Sequence, residues 1–428
     1  MHPARARVRR VHIVGAGLSG LAAALDLARS GAVEVHLHEA TGRAGGRCWS
    51  FHDARLDRLI DNGNHLVLSG NGAVLDHCRR IGTFDLLDIA QDAALPFHDL
   101  AGGAEWTLRI PDGPVDLLRG RMALPPDVGA GGLVADLARL LTADPTRTVA
   151  QTLRRRGAAW DRLWDPLSLA VLNEPPDTGS AVPLAAVLRR TLLKGGRACR
   201  PITMPHGLGP TLIAPALRMI EALGARVVWR APLRAIDRSG DTVQALIFDK
   251  TRVPLDPQDA VILAVPAEIA GGLLGRSAPT DGRPILNAHF RVPAAAVAGA
   301  PPVIGVLNGL AQWIFVRGDV VSVTVSAADA HGSARADAAR LWAEVAQVLR
   351  IEGEPHATRL LRETAATFAA TPASLAARLP MHTGLRNLVL AGDHVVSPLP
   401  STLEGAVMSG RASARAVLGT LPEPARGS

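Results

Sequence analysis

Tyrosine is absent from this 428-residue chain, and lysine occurs only twice, as Lys194 and Lys250. All aromatic residues together make up 3% of the sequence, too few for a surface that stacks bases or cages a cation on rings. The formal charge is +7, but the arginines that carry it are scattered, so nucleic acid is not expected as a partner. Cysteine is scarce as well. Cys48, Cys78 and Cys199 are odd in number and too far apart for a C-x-x-C site, which excludes a complete disulfide framework and fits a reducing cytoplasm. No stretch reaches the ~18–20 uninterrupted apolar residues that cross a bilayer. The arginines among the first ten residues lead only into the short run Val11 to Val14, which ends in glycines, unlike a secretory leader. No His/Cys/Asp cluster has ligand spacing, and no metal is expected. What is present is a globular composition, 48% hydrophobic and 20% charged, in a chain long enough for two domains.

Val11-His12-Ile13-Val14 reads as a buried strand, and Gly15-Ala16-Gly17-Leu18-Ser19-Gly20 follows at once. Leu21 to Arg29 is helical and is stopped by Ser30-Gly31; Val33 to His38 is a second strand that delivers Glu39. A G-x-G-x-x-G turn inside a β-α-β unit is a dinucleotide cradle. Gly15 makes the tight turn, Gly17 lets the backbone approach a pyrophosphate, and Gly20 lets helix and strand approach. The helix start, just after Ser19 of the turn, offers free N–H groups to the phosphates, and Ser19 is counted with the cofactor-binding residues. Glu39 is placed to accept the ribose hydroxyls and disfavours a 2′-phosphate.

A second glycine-arginine loop follows, Ala40-Thr41-Gly42-Arg43-Ala44-Gly45-Gly46-Arg47. An NAD-type dehydrogenase does not need it. The longer FAD does: the loop, with Ala40 among its cofactor-binding residues, has paired glycines, Gly45 and Gly46, that allow close backbone approach, and Arg43 and Arg47 meet phosphate charge. Near the other terminus, the strand 387–391 runs into Gly392-Asp393, where the carboxylate is placed to accept a ribityl hydroxyl. The run from Pro400 through Thr402 and Leu403 then opens a helix reaching Leu418, its N-terminus aimed at the flavin pyrimidine. No cysteine lies in this segment, so the FAD is expected to be non-covalent. Strands over 225–229, 233–236 and 260–266 complete the nucleotide domain, and backbone around Leu233 is placed to pair with adenine.

These segments together resemble the flavin-containing amine oxidase and phytoene desaturase superfamily. Asp61-Asn62-Gly63-Asn64-His65-Leu66, Leu172-Asn173-Glu174-Pro175-Pro176, 366–372, and the closing run 399–406 after Gly392-Asp393 resemble its squalene-associated branch, the hydroxysqualene dehydroxylase family. The resemblance covers roughly residues 10 to 418. This chain differs from the family in carrying Asn64 where Gln is common, Glu174 where Thr is common, and His394 where an aromatic residue is common.

The resemblance implies an α/β fold: a discontinuous FAD-binding Rossmann-like domain of glutathione-reductase type over 8–65, 205–270 and 384–420. An α+β substrate domain over 66–204 and 271–383 is inserted in it, and 421–428 is a flexible tail. It also implies reductive removal of an allylic hydroxyl from a polyisoprenoid in hopanoid biosynthesis. Gly63 and Asn64 would approach the flavin and His65 would be the acid, its ordinary pKa of about 6.5 suiting proton donation. His206 is a second candidate. A carotenoid-type desaturase uses the same fold in the opposite redox direction; an amine oxidase, or a scaffold flavoprotein without turnover, are the remaining alternatives. The absent tyrosines and the two lysines argue against an amine site. An apolar substrate implies collection from a membrane surface by a peripheral, cytoplasmic protein, together with an electron donor or biosynthetic-complex partner. Leu133 to Leu141 and Val182 to Leu193 have apolar helical spacing with arginine on the other side, which fits core-facing helices or a membrane face.

Overall fold

The computed structural model describes residues 9–153, 157–328 and 334–420, so the expected tail at 421–428 lies outside the described residues. Segments of three to five residues are too short for stable helices but pair as strands, the central ones buried on both faces. Five of them build one wholly parallel sheet: β1 (Arg10–Val14), β2 (Glu34–His38), β3 (Arg226–Val228), β4 (Ala260–Leu263) and β5 (Leu388–Leu390). Their order is β3-β2-β1-β4-β5. The sheet thus takes strands from the front, middle and end of the chain. Alternate residues face two different cores. Val11, Ile13 and Ile262 meet the helices α1 (Leu18–Ser30) and α2 (Leu403–Leu418). Val14, Val261 and Leu263 meet a three-stranded antiparallel sheet, Leu233–Ser239, Thr242–Phe248 and Arg252–Pro254.

Both helix starts differ from the sequence expectation by about a turn. α1 begins at Leu18 rather than Leu21, because Gly17 is already its N-cap with extended backbone. α2 begins at Leu403 rather than Pro400, because Thr402 caps it, its hydroxyl accepting the Gly405 N–H at 3.1 Å. The two helices approach closely at Gly410, where a Cβ would sit 2.0 Å from the Ser19 carbonyl oxygen.

A second unit contains a seven-stranded sheet. In spatial order its strands are Ala357–Phe368, Gly282–Arg291, Val320–Ser326, Trp313–Arg317, Val303–Leu307, Ala94–Asp99 and Glu105–Arg109. The two-residue period of its central strands sorts the side chains. Leu286, Ala288, Phe290, Val321 and Val323 form a core with Leu341, Trp342 and Val345 of the helix Ala334–Leu349. The alternate residues Asn287, His289, Ser322 and Thr324 are buried and polar. The helices Ala130–Leu141 and Ala181–Arg190 close on each other, burying Leu140, Leu184, Ala185 and Leu188 around Trp160 and Trp164. Most of their apolar residues therefore face this core, with Val134, and Leu193 just beyond the second helix, left exposed.

Candidate functional site

The glycine turn and the second loop lie against each other. Gly17 and Gly45 form a parallel bridge, and the Gly45 N–H donates to the Ala16 carbonyl at 2.8 Å. Three glycines are required by space. At Gly15, with φ +106°, a Cβ would be 2.3 Å from the Ala264 carbonyl oxygen. At Gly20 it would be 1.9 Å from the Gly15 carbonyl oxygen, and at Gly45 2.2 Å from that of Cys48. Gly17 is different: nothing lies within 4 Å of where its Cβ would be. That open side, at the N-terminus of α1, is the space a pyrophosphate needs. Gly46 borders it, its Cβ position 3.3 Å from the Gly17 Cα.

Glu39 is buried at the end of β2. One carboxylate oxygen accepts the Ala16 N–H at 2.8 Å, and the other accepts the Thr41 N–H at 2.9 Å and hydroxyl at 2.8 Å. The Thr41 hydroxyl is also 2.9 Å from the Arg43 carbonyl, and donating there instead leaves Glu39 two acceptor sites for a ribose diol. Ala231 donates its N–H to the Glu39 carbonyl at 2.8 Å, which brings the Leu233 strand beside the acid. Ala40 and Arg43 are exposed at the rim. The Arg43 guanidinium lies 4.0 Å above the Trp49 ring, and it donates to the Gly46 carbonyl at 3.2 Å.

The two ends of the chain meet at Arg47 and Asp393, paired at 2.8 Å. Ser401 donates its hydroxyl to the same Asp393 oxygen at 2.7 Å. Burial works to raise this carboxyl, but Arg47 and Ser401 outweigh it and hold its pKa at about 2. Gly392, at φ +136°, donates its N–H to the Ser409 hydroxyl of α2. A carboxylate kept ionised beside a helix N-terminus and a glycine-lined groove fits the polar chain of FAD.

His65 leaves the turn 62–65, which is clamped by the polar face of the large sheet. Asn287 donates its amide to the Asn62 carbonyl at 3.3 Å and accepts the Thr324 hydroxyl at 2.9 Å. Asn64 donates to that hydroxyl oxygen at 3.0 Å, and Gly63 lies beside the Asn287 amide. His65 is exposed by area, yet burial lowers its pKa, Asp61 opposing and Arg47 adding to the shift. His206 is exposed in its loop. His394 is buried, and burial lowers its pKa to about 4.

Asn287, Thr324, Ser409 and Gly410 carried no functional reading from sequence, and Ser401 only as part of the closing run; Gly410, a glycine inside an apolar helix pattern, offered a local signal. A cavity of about 370 Å³ lies elsewhere, between Leu169, Pro175 and Leu310, with Arg283 and Gln312 as its polar wall. It includes neither His65 nor the glycine turn. Beside it Glu174, fully buried, takes two bonds from Arg283 and one from Thr178 at 2.7 Å. Changing Glu174 to alanine is expected to cost about 3 kcal/mol, because Arg283 loses its buried carboxylate. A thermal melt unchanged within a degree would contradict this.

Among the described residues no group of three or more His, Cys, Asp or Glu side chains is arranged to hold a metal. No described helix is long and apolar enough to cross a membrane.

The model of the flavin containing amine oxidoreductase family matches residues 18–418. The chain belongs to this family. It is also 43% identical to hydroxysqualene dehydroxylase of Rhodopseudomonas palustris, across 96% of this chain and 98% of the relative. Hydroxysqualene dehydroxylase of Sinorhizobium fredii is 40% identical, across 95% and 97%. Among solved structures, cyclohexylamine oxidase from Brevibacterium oxydans superposes with a TM-score of 0.70 over 96% of this chain and 99% of its own, at 17% identity, a likeness of fold alone. As a flavin containing amine oxidoreductase, the chain is an FAD-dependent oxidoreductase, and the residues around Gly17, Glu39 and Asp393 are chemically suited to hold that cofactor.

Proposed function

We propose that this flavoenzyme removes the hydroxyl of hydroxysqualene, giving squalene and water. The observation that carries the reading is 43% identity, across nearly the full length of both chains, to a hydroxysqualene dehydroxylase. The reaction replaces a C–O bond by a C–H bond and consumes two electrons and two protons. Bound FAD, in its reduced form, supplies the two electrons and one hydrogen as hydride. Glu39, Arg43, Gly46 and the α1 N-terminus bind the dinucleotide end, while Asp393, fixed by Arg47 and Ser401, orients the ribityl side. His65 gives the second proton to the departing hydroxyl, and Asn287 and Thr324 hold its turn in place. The step requires that water be kept from the reacting carbon, since stray water would recapture a carbocation. The substrate is apolar, each buried CH₂ contributing about 0.8 kcal/mol, so the enzyme collects it as a peripheral protein from the cytoplasmic side of a membrane. A donor of reducing equivalents restores the flavin.

Incubation with hydroxysqualene, phytoene and amines, with and without reductant, tests the reading. The expected product is squalene, formed only when the flavin is reduced. A lengthened polyene under oxidising conditions would identify a desaturase instead. His65→Ala is expected to keep its full FAD content and to lose about 10²–10⁴-fold in kcat, the usual worth of a general acid. In the unsubstituted enzyme kcat should fall as pH rises through a value below 6.5, because burial lowers the pKa of the group that must be protonated. Undiminished turnover by the alanine enzyme would remove His65 from the mechanism.

A further inference from the structure

The loop between the strand Glu105–Arg109 and Ala123 projects from a fixed base. Arg109 and Ala123 exchange both backbone bonds, at 2.8 and 3.1 Å. Below them Gly196 donates its N–H to the Pro111 carbonyl at 2.8 Å, and Arg200 pairs with Asp112 at 2.9 Å. Beyond this base the tip, with the short helix Pro114–Leu118, turns apolar side chains outward. Val115 is 59% exposed, Leu117 50%, Leu118 88% and Met122 37%. The other large hydrophobic residues exposed among those described, such as Leu59, Leu223 and Ile269, are scattered singly along the chain. Single exposed apolar residues are ordinary, whereas four within eight residues on a projection are not.

We propose that this tip is a lipid-docking element that dips into an anionic bilayer interface. Three features favour a bilayer over a protein partner. The tip is a projection rather than a groove or flat face, so it needs a medium that yields rather than a complementary cleft. Its first turns are hydrogen-bonded within themselves: the N–H groups of Asp116, Leu117, Arg119, Gly120 and Arg121 find carbonyls within residues 113–117, which lowers the cost of entering the interface between headgroups and acyl chains. Exposed arginines, Arg119 and Arg121, stand between Leu118 and Met122, where their stems follow the apolar surface and their charges meet anionic headgroups. Asp116, 3.3 Å from Arg121, is the acid at the tip. The docking surface gives the proposed hydroxysqualene reading its source of substrate, and in that sense it rests on that reading.

The test is flotation of the full chain with vesicles of phosphatidylglycerol and phosphatidylcholine at low salt. The native protein is expected to float, and Leu117→Asp/Leu118→Asp to lose at least tenfold in bound fraction. The control Leu223→Asp should float normally. Arg119→Ser/Arg121→Ser is expected to lose the preference for phosphatidylglycerol vesicles over pure phosphatidylcholine. Native protein that stays at the bottom of the gradient, or a double aspartate variant that floats as well as native, overturns the proposal. So does a native oligomer that the aspartates dissociate in the absence of lipid, which would assign the tip to a second copy of the chain. Turnover in detergent micelles separates the two readings. There the aspartate variant should match native protein; if neither makes squalene, the substrate assignment fails while flotation still decides the surface.

Discussion

Gly20→Val is expected to yield a colourless protein. A Cβ at this position would lie 1.9 Å from the Gly15 carbonyl oxygen and 3.3 Å from the Ala264 Cβ, so α1 must move off the sheet before any further valine atom is placed. That motion takes the helix N-terminus away from the groove it serves. A displacement near 1 Å costs about a hundredfold where groups must be aligned, and flavin affinity should fall at least that far. The Gly17→Ala enzyme provides the contrast. Gly17 has ordinary φ of −68° and open space around it, so the added methyl disturbs nothing in the protein itself. Its apoprotein melting temperature should match the parent, while its flavin content should fall, because the methyl would occupy the space proposed for the pyrophosphate. Flavin content by absorbance and apoprotein melting curves read the pair. A yellow Gly20→Val protein would show that the glycine turn is not the cofactor cradle.

The second large effect is acid lability. His12, His38, His289 and His394 are all buried, and burial depresses each, to about 4 for His12, His289 and His394 and about 3 for His38. His12 and His38 also touch, Nδ1 to Nε2 at 3.1 Å, a contact that neutral rings satisfy as donor and acceptor and that two imidazoliums cannot. Because the folded values lie below the unfolded value near 6.5, the unfolded chain binds more protons throughout the interval between them. Stability is therefore flat above about pH 6.5 and falls as pH drops toward 4. One pKa unit is worth about 1.4 kcal/mol, so one unit apiece from four groups amounts to about 5–6 kcal/mol, comparable with the whole stability of many domains. Melting temperature should drop steeply between pH 6.5 and 4.5, and His38→Leu should flatten that slope. A melting temperature constant across the interval would mean that these rings are already charged in the fold.

The α/β class and the FAD cofactor were legible because their signals are local. A glycine turn, an acid after the second strand and a paired-glycine loop all fall within 15–47, and each residue type has a reason that does not depend on distant neighbours. The resemblance of the closing segment supplied the other half. What sequence could not carry was contact between remote segments. Periodicity marked Leu133 to Leu141 and Val182 to Leu193 as amphipathic but not what covers them, and the structure shows that they cover one another. Asn287 and Thr324 look like ordinary polar residues of an alternating strand until the turn at Asn62 is laid across them. Glu404, quoted in a closing motif, turns out to accept the N–H groups of Ala73 and Val74 at the start of the helix Gly72–Arg80. The exposed tip at 115–122 has no periodic signature, since its distinction is what it fails to touch.

The pairing of Arg47 with Asp393 sets a timetable for the newborn protein. During synthesis the amino-terminal β-α-β segment leaves the ribosome early, but the carboxylate, the last sheet strand and the closing helix are made last. With Asp393 in its proposed role, the cradle is complete only once the closing segment is made, and a chain cut short before Leu388 would leave β4 with an uncovered edge.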